Sequence, residues 1–313
     1  MRSRAAGLAA VLVLFAGACA EEVPAAAADY LELSARPLQP PASATRLDAA
    51  VGAFVGPHFS LGFSAVEVRS DLPPELGGKH AADGYEFVIA YGTREPAFEP
   101  VPVPGAPMPV IAAVRVGEQR KVLARQPNSG DSLLVSVRKG QSALLEVLDA
   151  GRPLSYNLRT GIRGPENPVG FYRPRVVELG DARTAGKGTV ATGEVEVGID
   201  FGKRSCYLQP WTAAAGWAGD HRIFLECTDL RLTVDGPGRP GSFRQPEAFT
   251  LDLPGGAKAY AKPSADRVML FELPDDFAGA ELTVDPAGVL LDDNAGPWIT
   301  PPPSKKVVLF LRG

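Results

Sequence analysis

Histidine, cysteine and tryptophan each occur only three times in this 313-residue chain, and that scarcity removes several kinds of chemistry at once. His58, His80 and His221 contain no pair at metal-ligand spacing, and there is no Cys-x-x-Cys. The usual residues of a zinc or copper site are therefore lacking, and each histidine reads as a loop or surface residue. No Gly-x-Ser-x-Gly elbow is present; the nearest string, Gly62 to Val66, lacks the second glycine. Gly186-Lys-Gly-Thr189 imitates a phosphate loop. Gly180 is one residue too far away, however, and Gly188 stands where Ser or Thr is needed, so a turn is expected there. Asp285, Asp292, Asp293 and Asn294 supply oxygen ligands without the alternating register of a calcium loop, and Asp275-Asp276 falls in a predicted turn. The expectation is a protein that is not an enzyme, with no catalytic residue, cofactor or metal. Lys/Arg runs are also missing from a chain of net charge −4, which argues against a nucleic-acid partner, since that binding rests on phosphate neutralisation.

Only one long apolar run exists, and it lies at the start. Arg2 and Arg4 precede an uncharged stretch from Gly7 to Ala18, and Cys19 follows before Glu21 and Glu22. This is the layout of an export signal, too short for a stable bilayer span. Two cleavage readings compete. Ala16-Gly17-Ala18-Cys19 offers the small residues a lipoprotein peptidase needs before a modified cysteine, whereas Ala18-Cys19-Ala20 fits ordinary signal peptidase, which would discard Cys19. Pairing Cys206 with Cys227 leaves Cys19 odd, at the place where an odd cysteine has a use, and this favours lipidation at Cys19. Residues 1–18 are then a signal peptide and 19–28 an anchor and spacer. Removing 1–18 takes away two arginines and no acids, moving the net charge from −4 to −6. The expected location is the extracytoplasmic face of the membrane, lipid-anchored, with a secreted soluble form as the alternative.

Glycine and proline are abundant instead, at 34 and 30 residues, and leave little room for long helices. Short stretches rich in β-branched and aromatic residues recur between them, among them Phe59–Arg69, Tyr85–Tyr91, Leu133–Val137, Leu144–Leu148, Arg222–Cys227 and Val268–Leu273. Only Thr45–Val51 and Thr212–Trp217 are compatible with helix. Pro100–Pro109 belongs in an extended loop or at a sheet edge. The run 162–175, with three prolines and no period, reads as a linker between β-sandwiches at 29–161 and 176–313. Four short strings recur in the same order in both halves. Tyr30–Leu33 matches Val176–Leu179, Ser132–Val137 matches Arg267–Leu273, Leu145–Gly151 matches Leu282–Gly288, and Asn157–Gly161 matches Phe310–Gly313. Duplication of one all-β unit is the expectation.

An export signal ending in Cys19, followed by Val135–Gly151 and Phe271–Gly288 with their "strand, charged turn, L-x-V, D-x-G" ending, resembles secreted lipoproteins of high-GC Gram-positive bacteria that carry tandem immunoglobulin-like sandwiches. The same residues are similar to an immunoglobulin-like family found in bacterial lipoproteins and named after a telomere-protection factor. The resemblance implies a fold and a location, and no assigned chemistry.

Cys206 and Cys227, 21 residues apart in an exported chain, are expected to form a disulfide. It would close a loop, Tyr207–Arg222, that holds Trp211, Trp217, Tyr207 and His221. Large aromatics on a constrained loop suit a contact surface; the alternative is that Trp211 and Trp217 cap the sandwich end. The leading function is a non-catalytic cell-envelope lipoprotein that binds or positions an envelope protein or polymer. A small-ligand or metal-binding module, or a secreted hydrolase, is the alternative.

Overall fold

A computed structural model describes residues 24–35, 38–98, 110–173, 175–179, 184–200, 206–228, 230–236, 241–243, 246–263, 268–285 and 298–311. Cys19, Pro100–Pro109 and Asp292–Asn294 lie outside them. The architecture is all-β, built of antiparallel sheets, as expected. No helix among the described residues is long and apolar enough to cross a membrane.

In the first half, β1 (Leu31–Ser34), β2 (Ser60–Arg69), β3 (Tyr85–Thr93), β4 (Ile111–Val116), β5 (Gln119–Val122), β6 (Ser132–Arg138), β7 (Ala143–Asp149) and β8 (Arg152–Asn157) form two sheets. One has the order β1-β6-β3-β2, with Thr45–Arg46 and Ala53–Val55 also paired to β2. The other has the order β8-β7-β4-β5, with Ile162–Arg163 added beside β8. The chain crosses between sheets after β3, back after β5 and again after β6, while β3 pairs with β6 and β4 with β7. These crossings wrap the two sheets around one shared core as a β-sandwich.

The two sheets bury their faces differently. Along β7, Ala143, Leu145 and Val147 point into the core while Leu144, Glu146 and Leu148 point out, the period-2 pattern of a sheet with one wet face. Strands β3 and β6 are buried on both faces. Their outer side, with Phe87, Ile89, Tyr91 and Leu134, is roofed by Ala26, Ala44, Leu72 and Leu76.

The second half contains β9 (Val176–Leu179), β10 (Thr184–Val190), β11 (Gly193–Asp200), β12 (Cys206–Gln209), β13 (Arg222–Thr228), β14 (Arg231–Asp235), β15 (Phe249–Asp252), β16 (Val268–Pro274), β17 (Gly279–Val284) and β18 (Lys305–Leu311). One sheet runs β15-β17-β18-β9-β12-β13-β16. Its two ends are joined by a single segment, because Lys258–Tyr260 pairs with β15 and Lys262–Pro263 pairs with β16. A second sheet, β14-β11-β10, is extended by Gly241–Phe243 and Trp298–Thr300. Phe249, Leu282 and Leu309 meet Leu225, Phe271 and Leu273 in one core, with Val197, Ile199 and Leu232 from the second sheet. The halves share no sheet, and each has its own core.

Several expectations change. The matched strings do not occupy equivalent places. Strands β6 and β7 lie in different sheets, whereas β16 and β17 lie in one sheet with four strands between them, and edge strand β1 corresponds to the interior strand β9. The likeness reflects the Leu-x-Val alternation that any half-buried strand needs. Gly186–Thr189 is part of β10 rather than a turn. Thr212–Trp217 is a hairpin, Trp211–Thr212 paired with Gly216–Trp217, because Gly216 takes φ +75° and the Thr212 hydroxyl caps the turn at the Ala215 N–H. The 162–175 run contributes a strand and a 3-10 turn, Val169–Tyr172.

Candidate functional site

Cys206 and Cys227 form a disulfide between neighbouring strands of one sheet, one rung beyond the Tyr207–Glu226 pair, with Cα atoms 4.3 Å apart. The loop that it closes turns toward the first half. Trp211 is only 8 % exposed and meets the His58 ring edge-to-face at 4.8 Å. The Trp217 indole donates to the Ala150 carbonyl at 3.0 Å and stands 6.1 Å from the Phe171 ring, with the Arg152 guanidinium 5.3 Å above it. Phe171 and Tyr172 come from the 3-10 turn between the halves. The Tyr172 hydroxyl accepts from the Val55 N–H at 3.1 Å and donates to its carbonyl, and Arg163 stacks on the ring at 3.7 Å. Burial pushes this phenol up to about 12, against the opposing pull of the Val55 hydrogen bond and Arg163.

Tyr207 and His221 do not join this group. Tyr207 is 40 % exposed on β12. His221 projects from a left-handed turn at φ +56°, its carbonyl accepting from the Asp275 N–H. The four residues therefore make no single surface: the tryptophans face the first half, and the other two face elsewhere.

His58 lies in the bend before β2, a loop position as expected, but its side chain is sealed rather than at the surface. Asp149 accepts from its backbone N–H at 2.9 Å and lies 2.5 Å from its Nδ1, with the side chains 2 % and 0 % exposed beneath Trp211. A histidine oriented by a carboxylate is half of a catalytic relay, but this one has no route to a substrate. His80 pairs with Asp71 at the surface, where Ser70 gives its hydroxyl to that same aspartate and not to the imidazole. Among the described residues, no group of three or more His, Cys, Asp or Glu side chains converges as a metal site would require.

An open cleft lies at the side of the first half, where edge strands β1 and β5 leave the sandwich unsealed. It measures about 570 Å³, within the range of ligand sites. Leu31, Val114, Val116 and Val135, the aliphatic margin of the core, line it. Lys121 reaches from β5 across the mouth to the carbonyl and carboxylate of Asp29, just ahead of β1. Around the rim stand Tyr85, Glu118, Gln119, Arg138 and Gln141, whose side chains make no hydrogen bond or ion pair with any described residue. Ser136, also in the lining, has a buried hydroxyl without a partner. Neighbouring polar groups differ: Glu86 takes the Gly140 N–H at 2.7 Å and the Arg159 guanidinium at 2.5 Å. Burial would raise its carboxyl, and those two partners lower it by more.

A third feature is the bare outer face of the β8-β7-β4-β5 sheet. Ile111, Val122, Leu148 and Ile162 are exposed there, and Glu146 binds both Arg115 and Arg120. The cleft escaped sequence reading because its lining comes from residues 28 to 141, and the strand Gln119–Val122 carries no β-branched pattern until Val122. The odd–even placement of Val114 and Val116 was its only signal. Comparison with protein-family models, curated proteins and solved structures returns no match for this chain.

Proposed function

We propose that the protein is an exported, lipid-anchored, non-catalytic component of the cell envelope that binds another envelope component through the side cleft of its first half. The observation that carries this reading is the set of uncommitted polar groups, Tyr85, Glu118, Gln119, Arg138 and Gln141, arranged above an aliphatic floor. An apolar base with a few converging polar groups is how a ligand site combines affinity with orientation. The tryptophan loop supports it indirectly. Its large aromatics hold the two halves together, which leaves the second half as a fixed support rather than the binding element.

The test is a photo-crosslinking residue at Val116 in the full chain in its native cell, with Tyr260 of the second half as an exposed control. The expected outcome is one discrete adduct from Val116, none from Tyr260, and loss of the adduct in Gln119→Ala with Arg138→Ala. Equal labelling from both positions, or an adduct indifferent to the rim changes, would overturn it. In the same cells Cys19→Ala is expected to move the protein from the detergent phase into the medium.

A further inference from the structure

We infer that the cleft takes an extended polypeptide strand, added to the free edge of β1. This rests on the reading of the cleft as the binding site and names the occupant. The backbone register decides which groups are available. The Ser136 N–H donates to the Tyr30 carbonyl at 2.8 Å, and the ladder continues Leu31↔Val135, Glu32↔Leu134, Leu33↔Leu133, Ser34↔Ser132. In an antiparallel pair, directly opposed residues alternate between exchanging hydrogen bonds and not. Glu32 and Ser34 therefore turn their main-chain groups toward β6, and Leu31 and Leu33 turn theirs outward. Among the described residues no strand pairs with that side of β1.

An incoming antiparallel strand would find two open rungs, at Leu31 and Leu33, and up to four main-chain hydrogen bonds. Its side chains on the face turned to the second sheet would fall toward Val114 and Val116, with Gln119 beside them, while those between would point away from that sheet. Arg138 and Tyr85 stand across β1, on the side of β6 and β3. Main-chain pairing for affinity with side-chain pockets for selectivity is the logic of strand addition. The other edge, β5, is the poorer acceptor: Gln119–Val122 is exposed throughout and carries Arg120 and Lys121, the charged dressing with which edges are guarded. Strand β1 carries no cation.

The probe is a labelled peptide copying β6, Ser-Leu-Leu-Val-Ser-Val-Arg, because β6 already pairs with β1 and presents an aliphatic row on one face. Saturable binding by anisotropy to the full-length protein is expected, with amide exchange at Leu31 and Leu33 slowed at least tenfold in the complex. Leu31→Pro removes an outward N–H while sparing the bonds to β6, a position where an edge strand accepts proline; it should weaken binding at least tenfold. Val116→Lys, which leaves the β1 backbone untouched, should do the same by charging the floor. Absence of saturable binding, or binding that leaves the Leu31 and Leu33 amides exchanging as before, overturns strand addition. Positive crosslinking at Val116 alongside that result would keep the cleft as a binding site for a ligand of another class. Negative crosslinking would remove both.

Discussion

Ala150 occupies a conformation that its side chain disfavours. The turn between β7 and β8 has two residues, Ala150 at φ +46° and Gly151 at φ +81°, and both lie in the left-handed region. A two-residue hairpin of this kind prefers Asn-Gly, and an L-residue with a Cβ there costs roughly 1–2 kcal/mol. Ala150→Asn is expected to raise stability by up to about 1 kcal/mol, since asparagine tolerates this region. Urea unfolding checks it, and a lower midpoint would mean that the Trp217 hydrogen bond to the Ala150 carbonyl depends on the alanine. At this scale the sequence is least legible. Asp149-Ala-Gly151 announces a turn, but nothing in it reveals that Asp149 holds His58, 91 residues away, under a tryptophan from the other half.

Strands read more easily. The alternation of 143–149 follows from the period of two and its faces came out as the pattern requires. The β-rich run 60–69 was legible as a strand but buries both faces around a register shift between Phe63 and Ala65. Gln119–Val122 was invisible because an edge strand in water needs no apolar row, and 212–217 was misread because a short segment around Gly216 takes its form from the pairing of Trp211 with Trp217. The disulfide was legible from composition, although its place within one sheet was not. Replacing Cys206 and Cys227 together by alanine should cost about 3 kcal/mol in the chain-entropy account of a loop of this length. Hydrogen exchange would locate the loss in β12 and β13, with β3 and β6 unaffected. Equal weakening of both halves would show that the bond acts through the junction instead.

At the scale of the molecule the junction matters most. Ala53, Val55, Phe171, Tyr172 and Trp217 pack together there, so the halves are joined by more than a linker. Removing the half-buried indole by Trp217→Ala should cost about 2 kcal/mol, less than the 3–5 typical of a fully buried tryptophan. Calorimetry is expected to show one unfolding transition in the wild type and two in the variant. A single transition in both would place the coupling with Tyr172 and Trp211. The prolines of 162–175 suggest a plain linker, yet that run carries a strand and a 3-10 turn. The residues that pack with Phe171 and Tyr172 could not be read together because they are scattered from Ala53 to Trp217.

The strand order of the second half also has a temporal meaning. Its first strand, β9, pairs with its last, β18, and the segment 258–263 can join the sheet only when β15 and β16 stand on either side of it. A chain that emerges from the N-terminus onward can finish the first half early, since every strand there lies before residue 164. The second half must wait, with β9 and β17 exposing unpaired edges until residues 305–311 arrive between them. That interval is when the protein is most open to mispairing, and the completed first half is the neighbour against which Trp211 and Trp217 come to rest.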